Sequence, residues 1–144
     1  MNVVIRPMIV LPPSVRSLAQ EASDEGFAFV ETMLKEWQQG QRFTGEGEQL
    51  FGAFVGDRLV AIGGIMQDPY LADPKIGRVR RFFVAQEFRR QGIGHQLLKV
   101  IVSQASGCFR RITLRTYTQE GAMFYENAGF TPTDLPDCSH EYVM

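Results

Sequence analysis

Residues 84–94, Val84-Ala85-Gln86-Glu87-Phe88-Arg89-Arg90-Gln91-Gly92-Ile93-Gly94, carry the end of an apolar strand directly into the start of an amphipathic helix. Upstream, Arg78 to Val84 reads as a strand. Downstream, Ile93, Leu97, Leu98, Ile101 and Ala105 fall on one face of a 3.6-residue period, and Gly107 follows as a C′ residue. Ile112 to Thr116 is the next strand. A strand, a helix and a strand this closely spaced form a parallel crossover, which is right-handed almost without exception. The rest of the chain must therefore build on one parallel strand pair.

The remaining elements do so in an uneven order. Asn2 to Met8 reads as a strand, and Ser14 to Ala22 as a short helix with Pro13 near its start. Asp24 is the expected N-cap of a second helix, on which Phe27, Val30, Met33, Leu34 and Trp37 share a face, and which stops near Gly40. Leu50 to Val55 and Leu59 to Met66 flank Gly56-Asp57, a two-residue hairpin connection. Glu120 to Ala128 is a helix ended by Gly129, and Glu141 to Met144 is a closing strand. The order β, α, α, β, β, β, α, β, α, β predicts a mixed α/β (α+β) architecture: a mainly antiparallel sheet of six or seven strands with helices on both faces.

With 144 residues and no repeat, low-complexity tract or linker, one domain over 1–144 is expected. Fifteen basic side chains against sixteen acidic ones leave a formal charge of -1, which excludes the broad basic surface that nucleic-acid backbones require. Cys108 and Cys138 have no metal-ligand spacing, so reduced thiols and no metal site are expected. Arg6, Pro7 and Pro12-Pro13 interrupt the apolar start, and no stretch approaches the length of a membrane span. The expected location is the cytoplasm, without a membrane partner.

The chemistry starts at the glycine turn. A helix N-terminus leaves several backbone N–H groups unpaired at the positive end of its dipole, so a pyrophosphate can be bound there. Gly92 and Gly94 clear side chains from the approach, and Arg89 and Arg90 add charge. Taken alone, the same pattern describes a simple tight loop. A nucleotide-binding loop is disfavoured, since the turn lacks the Lys-Ser/Thr pair that holds phosphate and metal.

A second signature, Ala122-Met123-Phe124-Tyr125-Glu126-Asn127-Ala128-Gly129-Phe130, lies one strand further on. Arg89-x-x-Gly92-x-Gly94 and Phe124-Tyr125-Glu126-x-x-Gly129-Phe130, in this order and separation, resemble the pyrophosphate-binding and C-terminal motifs of the GNAT superfamily of acyl-CoA-dependent N-acyltransferases. The resemblance runs from the first strand to about Phe130. It implies a sheet splayed open between the strand ending at Val84 and that of Ile112 to Thr116, with acetyl-CoA in the gap. It further implies pantetheine contacts at Phe83 and Val84, and cofactor contacts along Arg89, Arg90, Gln91, Gly92, Ile93 and Gly94. Phe124 and Gln119, which stands where an asparagine often touches the cofactor, complete the set, and His95 is placed by the first helical turn within reach of the pyrophosphate. Gln86, where proline is common, and Arg90, where glycine is common, depart from the pattern without removing a backbone amide.

The implied activity is transfer of an acetyl group to an amine of a small molecule or peptide, with Tyr125 as general acid. A homodimer is compatible with the resemblance. Many members carry a glutamate base six residues before the valine that matches Val84; here that position is Arg78, which cannot act as a base. Asp68, Glu31, a water chain and an amine that arrives already neutral are the alternatives, and a non-catalytic acyl-CoA-binding regulatory module is the competing function. Arg78 and Arg80 alternate with Val79 and so share a strand face, predicting an acceptor with an anionic group. A bulge between Arg80 and Val84 would interrupt that alternation, and simple surface ion pairing is the other role open to both arginines.

Overall fold

The computed structural model describes residues 2–144. The apolar runs become β1 (Val4–Pro7), β2 (Gln49–Val55), β3 (Arg58–Gln67), β4 (Ile76–Val84), β5 (Arg111–Leu114), β6 (Thr131–Pro132) and β7 (His140–Val143). The helices are α1 (Val15–Asp24), α2 (Phe29–Gln38), α3 (Ile93–Ala105) and α4 (Gln119–Asn127). One sheet forms in the order β1-β2-β3-β4-β5-β7-β6, and every pairing is antiparallel except β4 with β5.

The expected hairpin is present, with Val55 opposite Arg58 around Gly56-Asp57. All five stripe residues of α3 are buried, and Ile101 packs over Gly63 of β3. On this face α4 joins α3 through Phe124 and Tyr125, whose rings meet Phe82. Across the sheet, Glu36 of α2 pairs with Arg81, while Phe27 and Phe29 pack on Phe83. Helices thus cover both faces.

Two local expectations are corrected. Asp24 is not the cap of α2: it is the last residue of α1, where its carboxylate accepts from Gln20 at 2.8 Å, and α2 starts after Ala28. Phe27 consequently lies ahead of the helix. The strand expected to reach Thr116 ends at Leu114, since Thr116 N donates to the Ser139 hydroxyl instead of a strand neighbour. The two-residue β6, which has no periodicity to reveal it, adds the seventh strand.

Two irregularities in β4 open the sheet and aim its arginines. Its pairing with β5 covers only Ile76–Arg111, Gly77–Ile112 and Arg78–Thr113, so Val79 to Val84 have no strand beside them on that edge. In addition, the β3 register skips between Ile62 and Gly64, and Arg81 opposite takes φ 58. This is a bulge, in which one extra residue restarts the alternation. Arg80 and Arg81 therefore both face α2, and Phe82 turns to the α4 side.

Candidate functional site

The unpaired edge of β4 is one wall of a cleft of about 650 Å³, and the chain leaving β5, from Leu114 to Thr118, is the other. A sheet edge without a partner presents N–H and C=O groups that an extended ligand can pair with, as an added strand would. Thr118 caps α4 by accepting from Gly121 N at 3.0 Å, worth about 1 kcal/mol, and so fixes the corner where cleft wall becomes helix.

At one end of the cleft lies the glycine turn. Arg90 and Gly92 both adopt left-handed backbone, φ 61 and φ 82, which bends the chain tightly into α3. An added Cβ on Gly92 would meet nothing within 4 Å, so glycine serves conformation there; on Gly94 it would lie 3.1 Å from Phe124, so glycine serves close approach. The first intrahelical acceptor of this region is Gly92 O, taken by Gln96 N, which leaves the amides of the turn and first helical residues facing outward. Arg89 stacks over Phe83 and donates to Val84 O at 2.8 Å and to both Glu25 carboxylate oxygens at 2.9 Å, bracing the turn against β4 and α1. Arg90 is exposed and lines the cleft, as does His95, whose ring stacks on Phe124 at 4.7 Å.

Tyr125 stands at the middle of the cleft, half-buried among Phe82, Phe124 and Phe130 at centroid distances of 5.0 to 5.9 Å. This apolar surrounding pushes its phenol well above the ordinary tyrosine value, so it holds its proton through neutral pH. Its helix is tied to the sheet by a chain of contacts: Glu126 Oε2 lies 2.8 Å from His140 Nε2, and His140 Nδ1 lies 2.9 Å from Ser139 Oγ. Ser139 in turn accepts from Thr116 N at 3.0 Å, which locks α4 and the far cleft wall to β7.

The other end of the cleft is cationic and aromatic. Arg78 is 7% exposed; it donates to Asp137 O at 2.8 Å, lies 3.6 Å from Asp68 Oδ2 and stacks over Tyr70. Arg81 pairs with Glu36 at 2.8 Å. Arg80, half-buried, has the Met66 sulfur at 3.7 Å as its one side-chain hydrogen-bond partner and forms no salt bridge among the described residues. Burial, then the neighbouring Arg81, lowers its guanidinium below the ordinary arginine value.

Phe83, Val84, Arg89, Arg90, Gly92, Gly94, His95, Phe124, Tyr125, Arg78 and Arg80 all line the cleft. Gln91, Ile93 and Gln119 do not: Gln91 bonds back to Glu87 O, Ile93 is in the core, and Gln119 is exposed. Of the alternatives for a base, Asp68 is fully engaged, one oxygen accepting from Tyr70 N and Leu71 N and the other from the Thr113 hydroxyl. Glu31 is exposed on α2 away from the cleft. Sequence reasoning missed Tyr70, Arg115 and Tyr117, and the one available signal was their place just beyond strand ends. Among the described residues no group of His, Cys, Asp or Glu side chains comes together as a metal site, and no helix is long and apolar enough to cross a membrane.

The family model described as the acetyltransferase (GNAT) domain matches residues 18–143. A putative acetyltransferase from Exiguobacterium sp. 255-15, known from a crystal structure, is 30% identical with TM-score 0.88, covering 99% of this chain and 94% of that one. An acetyltransferase from Streptococcus agalactiae 2603 is 18% identical with TM-score 0.78 over 100% and 99% of the two chains. Glucosamine-6-phosphate N-acetyltransferase from Arabidopsis thaliana is 16% identical with TM-score 0.66 over 94% and 95%. The last two share the fold. No curated protein sequence matches the chain.

Proposed function

The chain belongs to the GNAT acetyltransferase family and is an acyltransferase, and from that premise we propose that residues 1–144 act as a single domain that acetylates an amine bearing an anionic group. The observation that carries the reading is the cleft itself, which has outward amides at one end, an open strand edge beside it and a protonated phenol midway. Acetyl-CoA, the family's usual co-substrate, would supply the activated acetyl thioester. The residues present fit it. The amides around Gly92 to Gly94 and the exposed Arg90 bind pyrophosphate, Phe83 and Val84 offer backbone to the pantetheine arm, and Gly94 leaves room between Val84 and Phe124.

Tyr125 Oη holds a proton within the cleft and delivers it to a leaving sulfur. With Arg78 in the position of the family's glutamate and Asp68 fully engaged, the acceptor's own proton passes to water, and the cationic wall disfavours a charged ammonium beside it. Arg80, which forms no salt bridge among the described residues, supports an anionic acceptor, since a free guanidinium repels polyamines and attracts a carboxylate or phosphate. Tyr125 inside the cleft supports turnover over a bare binding module.

The test is a screen of free-thiol release from acetyl-CoA with a panel of acidic, neutral and polycationic amines. Release with acidic amines at the highest kcat/KM is expected. Preference for the polycations, or no release with any amine, refutes the reading.

A further inference from the structure

Three guanidinium groups face the α2 side of β4, and their partners differ. Arg78 is neutralised by Asp68 and stacked on Tyr70, and Arg81 by Glu36 of α2. Arg80 sits between them, half-buried, hydrogen-bonded to one sulfur and with no salt bridge of its own among the described residues, the carboxylates of Glu36 and Asp68 near it being taken by its neighbours. Taking a cation partly out of water without a salt-bridge partner is costly, and a guanidinium with spare donors offers them to an incoming anion. The bulge is what creates this surplus. Regular alternation would have turned Arg81 toward the α3 face; the extra residue, in a left-handed conformation that costs about 1 to 2 kcal/mol for a residue other than glycine, places two consecutive arginines on one face. Arg81 then staples α2 to the sheet, and Arg80 is left with donors to spare. Strain of this kind persists where the surroundings fix it for a purpose.

We propose that Arg80 receives the carboxylate of the acceptor, which is an amine carrying one carboxylate on an apolar frame, as an apolar amino acid does; the amine part rests on the proposed acetyl transfer. One fixed guanidinium fork matches one carboxylate in a bidentate pair. A doubly charged phosphate would call for a second cation of equal standing, but Arg78 and Arg81 are already paired, and Arg115 is exposed and stacked on Tyr117, itself 82% exposed. The apolar frame has its counterpart in Phe27 and Phe29, which pack on Phe83 and line the same cleft. Arg80 is thus a specificity residue, and Arg78 a structural one.

The experiment compares two products that differ only in the group Arg80 would hold, N-acetyl-leucine and N-acetyl-leucinamide. Neither has an amine whose titration could confuse the result. Binding of each to the full chain saturated with CoA is measured by calorimetry, for the unmutated protein, Arg80→Gln and Arg80→Lys, with melting curves to confirm that each variant is folded. The acid should bind roughly 10- to 100-fold more tightly than the amide, the range of a charge-assisted hydrogen-bonded pair. Arg80→Gln should bring the acid to the level of the amide, and Arg80→Lys should retain part of the difference. Acid binding no tighter than amide binding in the unmutated protein, including no binding of either, overturns the proposal. So does a preference that survives Arg80→Gln. Thiol release is the separate measure of acetyl transfer: an acid preference without any release sinks that reading and leaves Arg80's role standing, while release without an acid preference does the reverse.

Discussion

In the proposed reaction Tyr125 is the acid, and the same rings that pack it also set its protonation. Phe82, Phe124 and Phe130 surround the phenol at 5.9, 5.0 and 5.8 Å and offer nothing to stabilise a phenolate. Its value in the folded chain lies above the unfolded value near 10, so the protonated form is the one folding favours. That contribution is complete below about pH 10 and is lost as pH rises beyond it. A donor held in this way keeps its proton over the whole working range. Tyr125→Phe should preserve acetyl-CoA affinity and slow kcat by roughly 10² to 10⁴, the usual worth of a placed general acid. In the unmutated enzyme, thiol release should show no alkaline fall assignable to Tyr125 below about pH 10. An alkaline limb near neutrality that disappears in Tyr125→Phe would contradict this assignment, and an unchanged rate would reduce Tyr125 to packing.

At the level of elements, α3 and the turn before it divide two tasks between two glycines. Gly92 makes the bend, with its positive φ and open surroundings, and Gly94 keeps α3 close to Phe124 and Val84. Gly94→Val should therefore lower acetyl-CoA affinity roughly tenfold or more by filling the approach to the outward amides, with the domain still folded. Calorimetry on a variant with a normal circular-dichroism spectrum decides it, and unchanged affinity places the pyrophosphate elsewhere. This turn is legible in the sequence because it joins two strong periodicities, the strand before it and the five-residue stripe after it. Asp24 misleads for the opposite reason: an acidic residue before an apolar stripe fits a cap and a helix end equally well, and the bond from Gln20 that places it in α1 is local geometry. The bulge at Arg81 is legible as a possibility and not as a position, since Arg80 and Arg81 are the same residue type. Which of them finds a carboxylate depends on α2, some 45 residues earlier in the chain.

The whole molecule is organised around a sheet that must hold together at one end and open at the other, and Asp68 marks the boundary. It follows β3 directly, accepts from the Thr113 hydroxyl of β5 and faces Arg78 of β4, joining three strands at the last residues where β4 and β5 are still paired. Beyond Arg78 and Thr113 the strands separate and the cleft begins. Asp68 is 2% exposed, and its other oxygen accepts from the amides of Tyr70 and Leu71, which shape the loop carrying Tyr70 to the cleft. Removing it leaves the buried Arg78 charge without a carboxylate and strands two amides, while the Thr113 hydroxyl keeps only Gly77 O as acceptor, a change of the class that costs about 3 to 5 kcal/mol. Against a total stability of roughly 5 to 15 kcal/mol that is a large fraction. Asp68→Ala should therefore lower Tm by on the order of 10 °C, whereas Arg80→Gln, which leaves no partner behind, should lower it far less. Scanning calorimetry on both variants gives the comparison. An Asp68→Ala protein that melts with the unmutated one would show that the sheet is held below the cleft by its apolar packing alone.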